Sequence, residues 1–141
     1  MQPINGAPEQ ALAWIQAGKR AAIATVIETW GSAPRRVGAQ MVVSDAAEME
    51  GSVSGGCVEG AVVVEALEAL EDAETKLLEY GVSDGDAFAV GLACGGTIRV
   101  LVEPIGRGGM PQEILEALVE ARAARTPVAY CVSLEGRDHA L

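Results

Sequence analysis

Residues Ala21-Ala22-Ile23-Ala24-Thr25-Val26-Ile27 form a run of strand length with no charge and no break. A strand with one wet face alternates polar and apolar side chains, whereas a run that is apolar throughout must be covered on both faces. This segment therefore predicts a central strand with packing layers above and below it, and the rest of the chain has to supply those layers. Three stretches of helical periodicity do so. The first, over 9–17, starts after Pro8, turns Leu12 and Ile15 inward and stops at Gly18. The second, over 58–70, puts Val58, Val62, Ala66 and Leu70 on one face and Glu65, Glu68 and Glu71 toward the other. The third, over about 111–125, has Glu113 and Glu116 early and Arg122 and Arg125 late, as the helix dipole prefers.

Further strands are predicted at 40–44, 51–54, 76–80, 97–103 and 127–133. Residues 134–141 read as a tail, because the turn at Glu135-Gly136-Arg137 has no strand after it. Helices alternating with strands around a doubly covered strand give an α/β class, with α+β as the alternative: a mixed sheet flanked by about three helices in one layered domain over 1–141. Only 4% of the residues are aromatic, so the layers are built from Ala, Val, Leu and Ile.

Charge and hydropathy exclude several function classes. Twenty acidic against ten basic side chains give a formal charge of −10, which a nucleic-acid backbone would repel. No apolar run approaches the roughly 20 residues that cross a bilayer, and the first residues lack the form of a signal peptide. The expected location is the cytoplasm. The three cysteines are an odd number without disulfide spacing, so they are expected reduced.

Two of those cysteines sit among glycines, in Gly55-Gly56-Cys57-Val58-Glu59 and in Cys94-Gly95-Gly96. Glycines add no packing but let a backbone come close to another object. Cys57 falls at a helix start, where unpaired N–H groups and a partial positive charge favour an anion, whether a thiolate or a bound oxyanion. A tight turn with a small buried cysteine is the competing explanation at Cys57, and a β-bulge at Cys94. Glu59 reads either as an acid–base group or as a partner of the helix dipole. Arg35 and Arg36 are adjacent cations in an acidic chain, in a loop with Gly31 and Ser32, and the guanidinium fork suits oxyanions. Cys131, in the predicted strand 127–133, reads as a core residue. His139 is the only histidine and lies in the predicted tail, which argues against a Cys–His catalytic pair.

Three segments occur in order: Gly31-Ser32-Ala33-Pro34-Arg35-Arg36, then Gly51-Ser52-Val53-Ser54-Gly55-Gly56-Cys57-Val58-Glu59, then Gly91-Leu92-Ala93-Cys94-Gly95-Gly96 with Val100-Leu101-Val102-Glu103-Pro104 after it. Together they resemble the N-terminal domain of the XdhC/CoxI family of xanthine dehydrogenase accessory factors. The resemblance implies a maturation factor rather than an enzyme, one that carries the molybdenum cofactor (molybdopterin or its cytosine dinucleotide form) as cargo. It implies assistance with sulfuration and insertion into an apo molybdenum hydroxylase of the xanthine or carbon monoxide dehydrogenase type. A cysteine desulfurase is a further implied partner, and cofactor handover makes a homodimer the expected assembly. The implied cofactor contacts are Ser32, Arg35, Arg36, Ser54, Gly55, Gly56, Cys57, Glu59, Cys94, Gly95 and Gly96, with Cys57 and Cys94 as candidate metal ligands. The longer members' Rossmann-like C-terminal domain has no counterpart in these residues. Two other readings compete: a sulfur-transfer enzyme with Cys57 as nucleophile, and a structural zinc–thiolate centre.

Overall fold

In the computed structural model, which describes residues 5–31, 33, 35–81 and 96–141, the apolar run becomes the middle of a five-stranded sheet. This strand, β1 (Ala21–Trp30), lies between β2 (Gln40–Ser44) and β5 (Thr97–Pro104). The short β3 (Met49–Gly51) flanks β2, and β4 (Lys76–Tyr80) flanks β5, giving the order β3-β2-β1-β5-β4. All four ladders are antiparallel where a mixed sheet was expected, so the layers follow the α+β alternative. β2 returns beside β1 and β3 beside β2, as successive strands joined by short loops do. A bulge between Val26 and Glu28 re-aims the end of β1.

Both faces of β1 are covered, as the missing alternation requires. Ala22, Ala24 and Val26 pack with Val100 and Val102 under α2 (Glu59–Asp72), which contributes Val62, Ala66, Ala69 and Leu70. On the opposite face Ala21, Ile23 and Val42 meet Ala11 and Trp14 of α1 (Ala7–Gln16) and Leu115 of α3 (Gln112–Ala123). Ile23 and Ile98 are fully buried, and each contributes about 2 kcal/mol from burial alone. The helices end where their sequences lose helical support. Gly18 takes a left-handed backbone after α1, and Ala73 does the same at the cap of α2.

Two expectations about the last third of the chain are corrected. The strand predicted over 127–133 shrinks to β6 (Cys131–Val132), and Cys131 is exposed rather than part of a core. β6 pairs along one edge with β7 (His139–Ala140), Cys131 with Ala140 and Val132 with His139. The expected tail is therefore a hairpin. Gly136 turns with φ 72° and seats against Thr75, while Ser133 Oγ accepts from the N–H groups of Arg137 and Asp138. The strand expected at 51–54 lies earlier, at Met49–Gly51, and shares only Gly51 with the expected span. Beyond Gly51 the chain leaves the sheet and enters the first cysteine loop.

Candidate functional site

The three glycine-bearing motifs leave the sheet at one end. Trp30, the last residue of β1, pairs with Thr97, the first of β5, and Tyr80 at the end of β4 pairs with Ile98. Gly51 at the end of β3 pairs with Met41 next to the start of β2, and Ser52 N–H continues that contact by donating to Gln40 O at 3.1 Å. The loops 31–39 and 52–58 and the approach to Thr97 thus share one rim. The first and third motifs touch there, since a Cβ on Gly31 would stand 3.5 Å from Gly96 Cα. Ala33 and Ala39 of the arginine loop pack on the same core as Val53 and Val58 of the cysteine loop.

Glu59 decides the shape of the cysteine loop. It is the first residue of α2, and its side chain turns back over the preceding residues, as acids in a first helical turn do. Oε2 accepts from Ser52 Oγ at 2.8 Å, Val53 N at 3.0 Å and Ser54 N at 2.9 Å. Oε1 accepts from Ser54 Oγ and from Gly56 N at 2.9 Å. Ser54 Oγ in turn accepts from Val58 N at 2.9 Å, and Ser52 Oγ from Gly55 N at 2.8 Å. Burial alone would push the carboxyl up, but the hydroxyls of Ser54 and Ser52 and the N–H groups of Ser54 and Val53 outweigh it and hold it at about 2. Glu59 is therefore ionised at neutral pH and occupied by its own loop. Ser54 is equally buried and inward-facing.

With Val53 and Val58 anchored in the core, the residues between them bulge outward. Gly55, Gly56 and Cys57 are all exposed. Gly55 and Gly56 have φ of 72° and 114°, in the region where a side chain would strain the backbone. A Cβ on Gly56 would meet nothing within 4 Å, so the space over that peptide is open. Cys57, immediately before the helix cap Val58, presents a free thiol to that space; the competing turn with a buried cysteine does not form.

Arg35 and Arg36 are exposed and make no ion pair among the described residues. Trp30, at the root of their loop, is 74% exposed, in a chain with few aromatics. Sequence reasoning passed over it, although a tryptophan directly before a glycine-rich loop is a usable signal. It also passed over Ser52, whose hydroxyl bridges Glu59 and Gly55. Gly96 is buried at the start of β5. Ser32, Cys94 and Gly95 lie outside the described residues, and so does the separation of the Cys57 and Cys94 sulfurs. Among the described residues no group of three or more His, Cys, Asp or Glu side chains is arranged to hold a metal ion.

Chemically, the rim offers an exposed thiol, bare glycine backbone that another molecule can approach closely, two guanidinium groups and a flat indole. That set fits a ligand with a thiophilic centre, oxyanion parts and a planar ring.

Comparisons with known proteins find relatives over much of the chain. A family model described as the XdhC and CoxI family matches residues 14–81. The molybdenum cofactor insertion chaperone PaoD of Escherichia coli (strain K12) is 37% identical over 114 residues, covering 81% of this chain and 34% of that protein. A probable xanthine dehydrogenase subunit of Bacillus subtilis (strain 168) is 36% identical over 90 residues, covering 62% of this chain and 27% of that protein. A solved structure described as a xanthine dehydrogenase from Bacillus halodurans superposes with a TM-score of 0.68 at 25% identity, covering 84% of this chain and 36% of that one. The chain thus spans about a third of the length of PaoD, and less of the Bacillus subtilis relative.

Proposed function

The chain belongs to the XdhC and CoxI family, and on that premise we propose that it binds the molybdenum cofactor as cargo and passes it to an apo molybdenum hydroxylase of the xanthine or carbon monoxide dehydrogenase type. The observation that carries this reading is the Glu59-clasped loop, which pushes Gly55, Gly56 and Cys57 into open space on the rim that also bears Arg35 and Arg36. The Cys57 thiol meets the metal–sulfur end. The two arginines meet the phosphate of molybdopterin or the pyrophosphate of its cytosine dinucleotide form, and the bare backbone of Gly55 and Gly56, whose N–H groups are held within the loop, lets it approach closely. Trp30 offers a stacking face to the pterin. Ser32, Cys94, Gly95 and Gly96 belong to the same proposed contact set, with Cys94 as second thiol. Glu59 and Ser54 enter it as residues that shape the loop, not as direct contacts.

Anaerobic titration of the purified chain with isolated molybdenum cofactor, reading retained molybdenum, tests the proposal. Cys57→Ala should weaken binding about tenfold or more and shift stability by less than about 0.5 kcal/mol, because the side chain is exposed. Combined Arg35→Ala and Arg36→Ala should weaken it similarly, with a shallower salt dependence. Unchanged affinity in Cys57→Ala would remove the thiol from the reading, and no retention by the native chain would end it.

The exposure of Cys57 also favours a second reading, in which it carries sulfur received from a cysteine desulfurase toward the cofactor's terminal sulfur. Incubation with a desulfurase and cysteine should then add the mass of one sulfur atom to the native chain and none to Cys57→Ala. A homodimer and a cytoplasmic site of action accompany the proposal, the first checked by light scattering during cofactor loading.

A further inference from the structure

Away from the glycine rim, three ionisable side chains meet in the interior without a role in cofactor binding. Glu103, on β5, is the register partner of Ile23 and faces the α1 and α3 side of the sheet. It is 1% exposed, at a position where the chain otherwise places apolar side chains. Its cover comes from the C-terminal hairpin. Tyr130, just before β6, donates its hydroxyl to Glu103 Oε1 at 2.9 Å. His139, on β7, brings Nε2 to 3.4 Å from the same oxygen, with its side chain 8% exposed. The two rings lie parallel within 11°, their centroids 6.2 Å apart. His139 Nε2 is buried with no hydrogen-bond partner among the described residues.

Little else holds this hairpin to the body. Its strands are two residues each, and most side chains from Ala124 to Leu141 are exposed. Gly136 seats against Thr75, and the remaining hydrogen bonds of the hairpin are internal. A two-stranded ribbon of this length has no stability of its own. Its docking therefore depends on the groups around Glu103.

We propose that Glu103, Tyr130 and His139 form a proton-operated latch, which holds the hairpin down at mildly acidic pH and loosens it as the pH rises. The charges explain the direction. A carboxylate under that lid is balanced only while the imidazole beside it keeps its proton, and a neutral carboxyl needs no balance. Once the imidazole is neutral and the carboxyl ionised, a buried charge has one tyrosine hydroxyl to satisfy it. Burial raises the Glu103 carboxyl above its ordinary value, with Tyr130 and His139 opposing. A raised acid stabilises the folded state below its unfolded value and loses that contribution as the pH climbs through the folded one.

Among the described residues no other charge facing the cluster replaces the imidazolium. Arg122 of α3 shares a crevice with Glu103, but Glu9 holds it through bonds of 2.7 and 3.1 Å. Beside His139 the turn supplies Arg137 together with Glu135, and Glu74 follows α2, so that side carries no net positive charge. Lifting the hairpin also removes a wall of the crevice of about 440 Å³ that Tyr130 and Val132 form with Thr25, Leu101 and Glu103. The latch thereby links proton release to access to that face of the sheet.

Amide exchange by NMR, corrected for intrinsic rates, tests the latch at Ser133, whose N–H donates to Asp138 O across the hairpin. Protection should fall about tenfold or more between pH 5 and pH 8 in the native chain, while Val100 in the sheet keeps its protection. Glu103→Gln should abolish the pH dependence, and Tyr130→Phe should lower protection while keeping it. A flat native profile would overturn the latch, as would an unchanged slope in Glu103→Gln. Should Glu103→Gln not fold, His139→Gln must move the pH at which protection is lost, and an unmoved profile there refutes the proposal equally.

Discussion

Replacing Glu59 by glutamine keeps the outline of the side chain and removes its charge. In the native loop its two oxygens accept from five donors, three on Oε2 and two on Oε1. An amide has one oxygen and points an NH2 group at the remaining donors, so at least two lose their acceptor. The Ser54 hydroxyl can rotate away, but the N–H of Gly56 cannot. A carboxyl lowered from 4.5 to about 2 corresponds to about 3 kcal/mol between its ionised and neutral forms. Gly55 to Cys57 stand in water, and screening at that open edge reduces the expected loss to about 2 kcal/mol. Urea unfolding of the native chain and Glu59→Gln should show that gap at pH 7. The folded value is depressed, so the stabilisation is complete above the ordinary carboxylate range and disappears as the pH falls through about 2. The gap should therefore shrink below about pH 4 and be nearly gone at pH 2, the other acids cancelling because both proteins carry them. A gap below about 0.5 kcal/mol at pH 7 would refute the clasp. A gap unchanged at low pH would show that shape, not charge, sets the loop.

Three further substitutions probe the supports of the fold. Gly51→Ala introduces a Cβ into the Gln40 carbonyl and 3.0 Å from Met41 Cα, at φ +87°, whereas Gly18→Ala has a similar φ of +86° and meets nothing within 4 Å. Thermal unfolding should show a loss of about 1 kcal/mol for Gly18→Ala and about 2 kcal/mol or more for Gly51→Ala; equal losses would mean that strain alone operates. Arg122→Ala breaks the two-pronged contact with Glu9 that ties α3 to α1, and should cost about 1 kcal/mol in urea unfolding at low salt and clearly less in 1 M salt.

The parts of the fold legible in the sequence were those where one periodicity had no rival. The unalternating run at 21–27 gave a doubly covered strand, and the α2 face predicted from Val58, Val62, Ala66 and Leu70 is the face that packs. The strand at 76–80 has the bounds expected of it. Misreadings gather where a long-range contact outweighs local pattern. Residues 127–133 look like a strand, but only two of them find a partner, and that partner is the segment that reads as a tail. Residue type alone places Cys131 in a core, while its actual strand has nothing over it. His139 looks remote from everything in the sequence because its partner, Glu103, lies on another element. An acid in an otherwise inward-facing strand position was the one local sign of that cluster.

The Glu59 geometry also bears on what the rim can do. In the sequence, an acid two residues after a glycine-flanked cysteine is as good a proton carrier as a structural one. A general acid or base works best with an affinity for protons near that of the surroundings, and with a free lone pair or proton to use. Glu59 has neither: it is held at about 2, and both oxygens are engaged by its own loop. The nearby arginines do not exchange protons at neutral pH. His139 faces Glu103, beneath the hairpin. Among the described residues the rim thus presents two guanidinium groups and a thiol, and the acid beside that thiol is engaged by its own loop. In the proposed sulfur-carrying reading, any sulfur would therefore have to move on Cys57 itself, without help from the acid beside it.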